Sequence, residues 1–144
     1  LPGSFDKSKK EEILKNMAFE YDYSTKVYSL ADKFKLKKND LILYNSRNNY
    51  WLSGDKRFIN LGYSSLGNEL NSEIDYLDYL KTQNVKIIVS DNKTILKLKN
   101  LMNKKCKYFI DEFNTIIATR NPFNSAKDQI TYIYIPNSSK NCFN

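Results

Sequence analysis

Histidine is absent from all 144 residues. That removes the commonest general base, the Ser-His-Asp and Cys-His arrangements of nucleophilic catalysis, and the usual zinc ligand sets. Glycine is scarce, with four in the chain, and no two are spaced to cradle a pyrophosphate, which disfavours a dinucleotide-binding loop. The two cysteines, Cys106 and Cys142, form no Cys-x-x-Cys pair, so a zinc cluster or thioredoxin-like centre is excluded. In an oxidising compartment they could bridge and pin the C-terminal tail; the alternative is two unpaired thiols. No apolar run reaches the ~18 residues that span a bilayer. The chain opens Leu1-Pro2-Gly3-Ser4 without an initiating Met, which reads as the cut end of a longer protein.

What is present suits one folded domain. The length fits a single core, since domains cluster around ~100–150 residues. Apolar residues at 41% and aromatics at 14% are too many for a disordered chain. Basic residues outnumber acidic ones 23 to 16, for a formal charge of +7. A basic surface attracts nucleic acid or anionic head groups. Only Arg47, Arg57 and Arg120 are arginine, however, and the remaining cations are Lys. Lys, Asn, Ile and Tyr share AT-rich codons, so genome composition accounts for much of the charge. Nucleic-acid sites favour the planar fork of Arg.

Apolar spacing gives the order of elements. Ser8 to Glu11 fits a capping box before a helix through Ile13, Leu14, Met17 and Ala18. A second helix from about Ser24 carries Val27, Leu30, Ala31 and Phe34 on one face, and the polar run Lys35 to Asp40 breaks it. Leu41 to Tyr44 is a compact apolar strand; Arg57 to Asn60 is another after a turn at Ser53-Gly54-Asp55. Gly62 to Gly67 is loop. Ser72 can cap a helix through Ile74, Leu77 and Leu80, ending near Asn84. Val85 to Ser90 is the clearest strand, being β-branched, and a helix follows through Ile95, Leu98, Leu101 and Met102. Cys106 to Asp111 and Thr115 to Arg120 predict a hairpin turning at Glu112-Phe113-Asn114. After a loop around Pro122, Ile130 to Ile135 alternates as a last strand. Residues 1–7 and 137–144 are expected to fray. The whole predicts an α/β fold: a small mixed sheet with parallel inner strands, helices packed on it, and a C-terminal antiparallel hairpin.

The richest polar cluster is Asn45, Arg47, Asn48, Tyr50 and Trp51, just past the C-terminal end of a core strand, where open α/β sheets bind ligands. Amides bond hydroxyls and aromatic faces stack on sugars, so the set suits a sugar or phosphate head group. The plainer alternative is a loop anchored by its own amides. Asp91 could face the same crevice or simply cap a helix. Asp75 with Asp78 lie three apart on a helix surface, and Asp111 with Glu112 in a turn. Neither pair offers the contrasting environments that separate an acid from a base. The lysines 93, 97, 99, 104, 105 and 107 form a solvated face and the best electrostatic candidate for nucleic acid. The eleven tyrosines are too scattered for a stacking platform. No metal and no cofactor is expected.

The succession of elements resembles the soluble C-terminal domain of polytopic GT-C glycosyltransferases, of the dolichyl-phosphate-mannose or phospholipid-carrier-dependent kind. The resemblance runs through Gly3 to Glu11, Tyr28 to Phe34, Leu41 to Asn60, Tyr76 to Asn92 and Lys107 to Asn121. It implies a non-catalytic extracytoplasmic domain, periplasmic or at the cell surface, beside the membrane-embedded part of the same protein. Such a domain would help position a lipid-linked sugar donor or an acceptor, with contacts to anionic lipid head groups. The family's sugar-transferring carboxylates lie in its membrane part, so none carries over to this chain. The net positive charge is no obstacle, because long domains translocate largely regardless of charge. A basic nucleic-acid-binding module is the alternative.

Overall fold

The structure, a computed structural model, describes residues 9–10, 21–45, 52, 54–60, 73–118, 125–137 and 139–143. The helix expected through Ile13 to Ala18, the loop 62–67 and the Ser72 cap lie outside them.

Helix α1 spans Tyr21–Lys33. Tyr23, Val27, Leu30 and Ala31 recur at helical spacing and are all buried, while Thr25, Ser29 and Asp32 on the other side are exposed. The helix ends in a Schellman motif: Lys35 N–H donates to Asp32 O at 3.1 Å and Leu36 N–H to Ala31 O at 2.9 Å. Lys35 occupies the left-handed position at φ 51°, where glycine is the usual choice.

Strand β1 is Leu41–Tyr44 and β2 is Phe58–Asn60. Helix α2, Glu73–Thr82, leads to β3, Val85–Ser90. Helix α3, Asn92–Leu101, is followed by β4, Phe109–Ala118, and β5, Ser125–Tyr134. These strands form one sheet in the order β2-β1-β3-β5-β4. The first three are mutually parallel and the last two antiparallel, so the mixed α/β sheet with parallel inner strands is observed.

Side-chain alternation builds two cores. Ile42, Tyr44, Ile87, Val89 and Tyr132 pack with α1 on one face. Leu43, Ile88, Ile133 and Ile135 pack on the other with Leu80, Ile95 and Leu98 from α2 and α3. The strands therefore read as continuous apolar runs because both faces are covered. Each fully buried large aliphatic contributes roughly 1.5–3 kcal/mol relative to exposure.

The hairpin is antiparallel as expected, but it turns elsewhere. Residues 109–118 form a single strand paired with 125–134, and Glu112-Phe113-Asn114 is its middle. Phe113 packs against the α1 core and Thr115 is buried, so the polar residues are the alternate positions of an edge strand. Edge strands carry charge to discourage further pairing. The N–H groups of Glu112 and Ile116, on the same side of the strand, donate to the carboxylates of Asp111 at 2.8 Å and Asp22 at 2.9 Å.

The described residues of the tail are anchored, against the expected fraying. Residues Ser139–Asn141 form a 3-10 turn, and Ser139, Cys142 and Phe143 are buried. Ser139 Oγ accepts from Val85 N–H at 3.1 Å and donates to Gln83 O at 2.8 Å. A disulfide joins Cys142 to Cys106, and Phe143 bridges to Met102. The polar composition hides these three anchors.

Candidate functional site

The sequence points to the C-terminal edge of the parallel strands. Asn45 follows β1 and Asp91 follows β3, and Tyr44 lies opposite Val89, so the two come to the same edge. Both already serve the fold. The Asn45 carbonyl accepts from the Tyr23 hydroxyl at 3.0 Å. The Asp91 carboxylate caps α3, accepting from Thr94 N–H at 2.6 Å and from its hydroxyl at 3.1 Å. Arg47, Asn48, Tyr50 and Trp51 lie outside the described residues.

Two buried carboxylates are equally committed. Asp22 is buried and accepts from the Thr115 hydroxyl at 3.0 Å and Ile116 N–H at 2.9 Å. Asp40, also buried, accepts from Lys37 N–H and the Asn84 amide, both at 2.8 Å. Asp78, Asp111 and Glu112 are exposed. Asp111 lies on β4, not in a turn as expected, and accepts from the Tyr132 hydroxyl at 3.4 Å. Among the described residues there is no group of three or more His, Cys, Asp or Glu placed to hold a metal ion. Burial pushes the Tyr79 phenol up, which makes it a poorer base at neutral pH.

The opposite edge, at the N-terminal ends of β1, β2 and β3, holds the hollows. The turn after α1, Asn84 ahead of β3, Lys86 and the end of β5 meet there, since Ile135 N–H donates to Lys86 O at 2.8 Å. One hollow of about 570 Å³ is lined by Phe34, Lys35, Lys37, Lys38, Asn39, Asn84, Lys86 and Tyr134, among others. A second of about 880 Å³ is lined by Tyr28, Lys38, Leu52, Gly54, Asp55, Lys56 and Arg57. Lys38 borders both.

Arg57 joins the loop ahead of β2 to the turn after α1. Its Nη2 meets Asp55 Oδ2 at 2.8 Å and its Nε meets Oδ1 at 3.1 Å, while Nη1 donates to Leu36 O at 3.3 Å. The Arg57 guanidinium holds the Asp55 carboxyl below its ordinary range, and Asp55 raises Arg57 in turn. Beside the smaller hollow the rings of Phe34 and Tyr134 stack at 3.9 Å, with Phe109 against Tyr134 at 6.2 Å. Lys33 donates to the Tyr132 hydroxyl at 2.8 Å, and that hydrogen bond raises its pKa.

Sequence spacing misses this edge. It reads Lys35 to Asp40 only as the break in a helix; the signal available is three lysines within four residues. Lys86 sits inside an apolar strand, and Tyr134 and Asn84 carry no local signature. Compared with protein-family models, curated proteins and solved structures, the chain matches none.

Proposed function

We propose that the chain is a non-catalytic domain of a membrane glycosyltransferase, standing on the extracytoplasmic face and helping to position a lipid-linked sugar donor or an acceptor. The observation that carries this reading is the Cys106–Cys142 disulfide. Such bonds persist in oxidising compartments and are rare in the cytosol. Two observations agree with it: there is no His in the chain, and among the described residues the carboxylates of Asp22, Asp40, Asp55 and Asp91 are held by structural hydrogen bonds. The parent's chemistry comes from the resemblance spanning Gly3 to Asn121. Among the described residues no helix is long and apolar enough to cross a membrane, so the membrane part would be supplied by the rest of that protein.

The segment carrying Arg47, Asn48, Tyr50 and Trp51, with Asn45 and Asp91, is the proposed contact surface. Arg47→Ala with Trp51→Ala in the full-length protein should lower sugar transfer in membranes while the melting temperature holds. Unchanged transfer removes the surface assignment, and a parent gene without hydrophobic spans removes the membrane reading.

One observation favours the alternative, a nucleic-acid-binding module: lysines 93, 97, 99, 104, 105 and 107 are all exposed. It predicts binding that weakens with salt by roughly one unit of log–log slope per phosphate contacted.

A further inference from the structure

The basic edge of the sheet, opposite Asn45 and Asp91, combines three independent features. The first is charge. Lys35, Lys37 and Lys38 stand on one turn and Lys56 on the facing loop, around hollows that share Lys38. Among the described residues no carboxylate pairs with these four ammonium groups. Of the two acids that border the hollows, Asp55 is neutralised by Arg57, while Asp40 is buried and accepts from Lys37 N–H and the Asn84 amide. One carboxylate charge is thus set against four lysines, all exposed, and the edge keeps a net positive charge.

The second is backbone conformation. Lys35 holds φ 51° at a helix C-terminal position that glycine fills most easily. Non-glycine residues in sparsely populated backbone conformations cluster at active sites and ligand clamps. Here the kink sets Lys35 on the wall of the hollow, beside Lys37 and Lys38.

The third is what flanks the charge. Phe34 and Tyr134, stacked on one another, and Asn39 and Asn84 share the smaller hollow with the lysines. Amides bond hydroxyls, and an aromatic wall accepts the C–H face of a polyol. Ammonium groups suit phosphate as point charges, and the one arginine fork described nearby is occupied by Asp55.

We propose that this edge binds a phosphate ester carrying a small hydroxylated group, such as a glycerol or sugar phosphate, with Lys35, Lys37, Lys38 and Lys56 holding the phosphate and Phe34, Asn39, Asn84 and Tyr134 flanking the polyol. The same chemistry occurs on a phospholipid head group and on a soluble ester. The site goes beyond the reading above and does not depend on it: binding by the domain and sugar transfer by the parent are measured separately, and either can fail alone.

Two probes distinguish the sources. The chain is titrated with sn-glycerol 3-phosphate by NMR, and floated with vesicles of phosphatidylcholine with and without phosphatidylglycerol. Head-group binding predicts flotation with the phosphatidylglycerol vesicles alone, falling roughly fivefold for each of Lys37→Ala, Lys38→Ala and Lys56→Ala. Binding of a soluble ester predicts amide shifts confined to the 35–39 turn, residues 56–57 and 84–86, without flotation. Lys35→Gly keeps the fold and should weaken either mode by a similar factor. Lys93→Ala with Lys105→Ala, on the other layer, should change neither. The proposal is overturned by no binding of either probe, by binding that survives the hollow variants, or by binding lost in the Lys93/Lys105 variant. A single-stranded oligonucleotide bound more tightly than both probes overturns it too.

Discussion

The carboxylate of Asp22 in α1 holds the Thr115 hydroxyl and the Ile116 N–H of β4, 93 and 94 residues away in sequence. It is a polar tie between the helix layer and the edge of the sheet, and it sits in a buried position. Hydrogen bonds to a charged acceptor contribute about 1.5–3 kcal/mol each, and leaving a buried donor unpaired costs a similar amount.

Asp22→Ala should therefore lower stability by about 2–3 kcal/mol in urea denaturation. Thr115→Val should cost much less in a chain already carrying Asp22→Ala than in the wild type, because the two residues share one interaction. Additive losses would show that the tie is not what holds β4 against α1.

The Asp55–Arg57 pair makes a prediction in pH. Arg57 depresses the Asp55 carboxyl, so the native state releases this proton more readily than the unfolded chain. The contribution is present above the ordinary carboxylate pKa and is lost as pH falls through the native value. With side chains 21% and 27% exposed, solvent screening limits the pair to about 1 kcal/mol. Asp55→Asn should thus be less stable than wild type near neutral pH and nearly equal near about pH 2. A stability gap that does not narrow in acid would rule out the ion pair as its source.

Lys35→Gly relieves a left-handed backbone position that costs an L-residue roughly 1 kcal/mol. Part of that gain is offset by the flexibility glycine gives the unfolded chain, so a stabilisation of about 0.5 kcal/mol is expected in thermal or urea melts. A variant that is both more stable and weaker in phosphate binding would tie the strain to the site. A destabilised variant would mean that the Lys35 side chain supports the fold.

The Cys106–Cys142 bond closes a loop with a sequence separation of 36. By chain entropy a loop of that size adds about 3–4 kcal/mol. Reduction, or Cys106→Ser with Cys142→Ser, should lower the urea midpoint accordingly and speed hydrogen exchange at Val85, whose N–H rests on Ser139 of the tail. Exchange at Ile42 and Leu43, in the centre of the sheet, should change only with global stability.

The sheet's centre is legible in sequence because burial on both faces writes an unbroken apolar run. Leu41 to Tyr44 is such a run, Val85 to Ser90 is one apart from Lys86 and the closing Ser90, and both strands stand as expected. Edge strand β4 is harder to read because its solvent-facing positions, Glu112 and Asn114, imitate a turn locally. Phe113 and Thr115, which alternate with them, face a helix far earlier in the chain. The tail misleads for the same reason, since Ser139, Cys142 and Phe143 find their partners on α2, β3 and α3. Of the candidate site, Asn45 and Asp91 do come to one edge, as their places after β1 and β3 imply. The basic edge gathers the 35–40 turn, the 54–57 loop and the end of β5, a meeting that only the strand order reveals.

An oxidising location underlies the proposed role, and the thiol state in the living cell tests it most directly. Cells expressing the full-length protein are quenched in acid, free thiols are alkylated, and the peptides holding Cys106 and Cys142 are weighed before and after reduction. Both cysteines unmodified until reduction, and joined to each other, is the predicted result. Both alkylated at once, in cells whose secreted proteins remain oxidised, would place the chain in a reducing compartment and contradict the extracytoplasmic role.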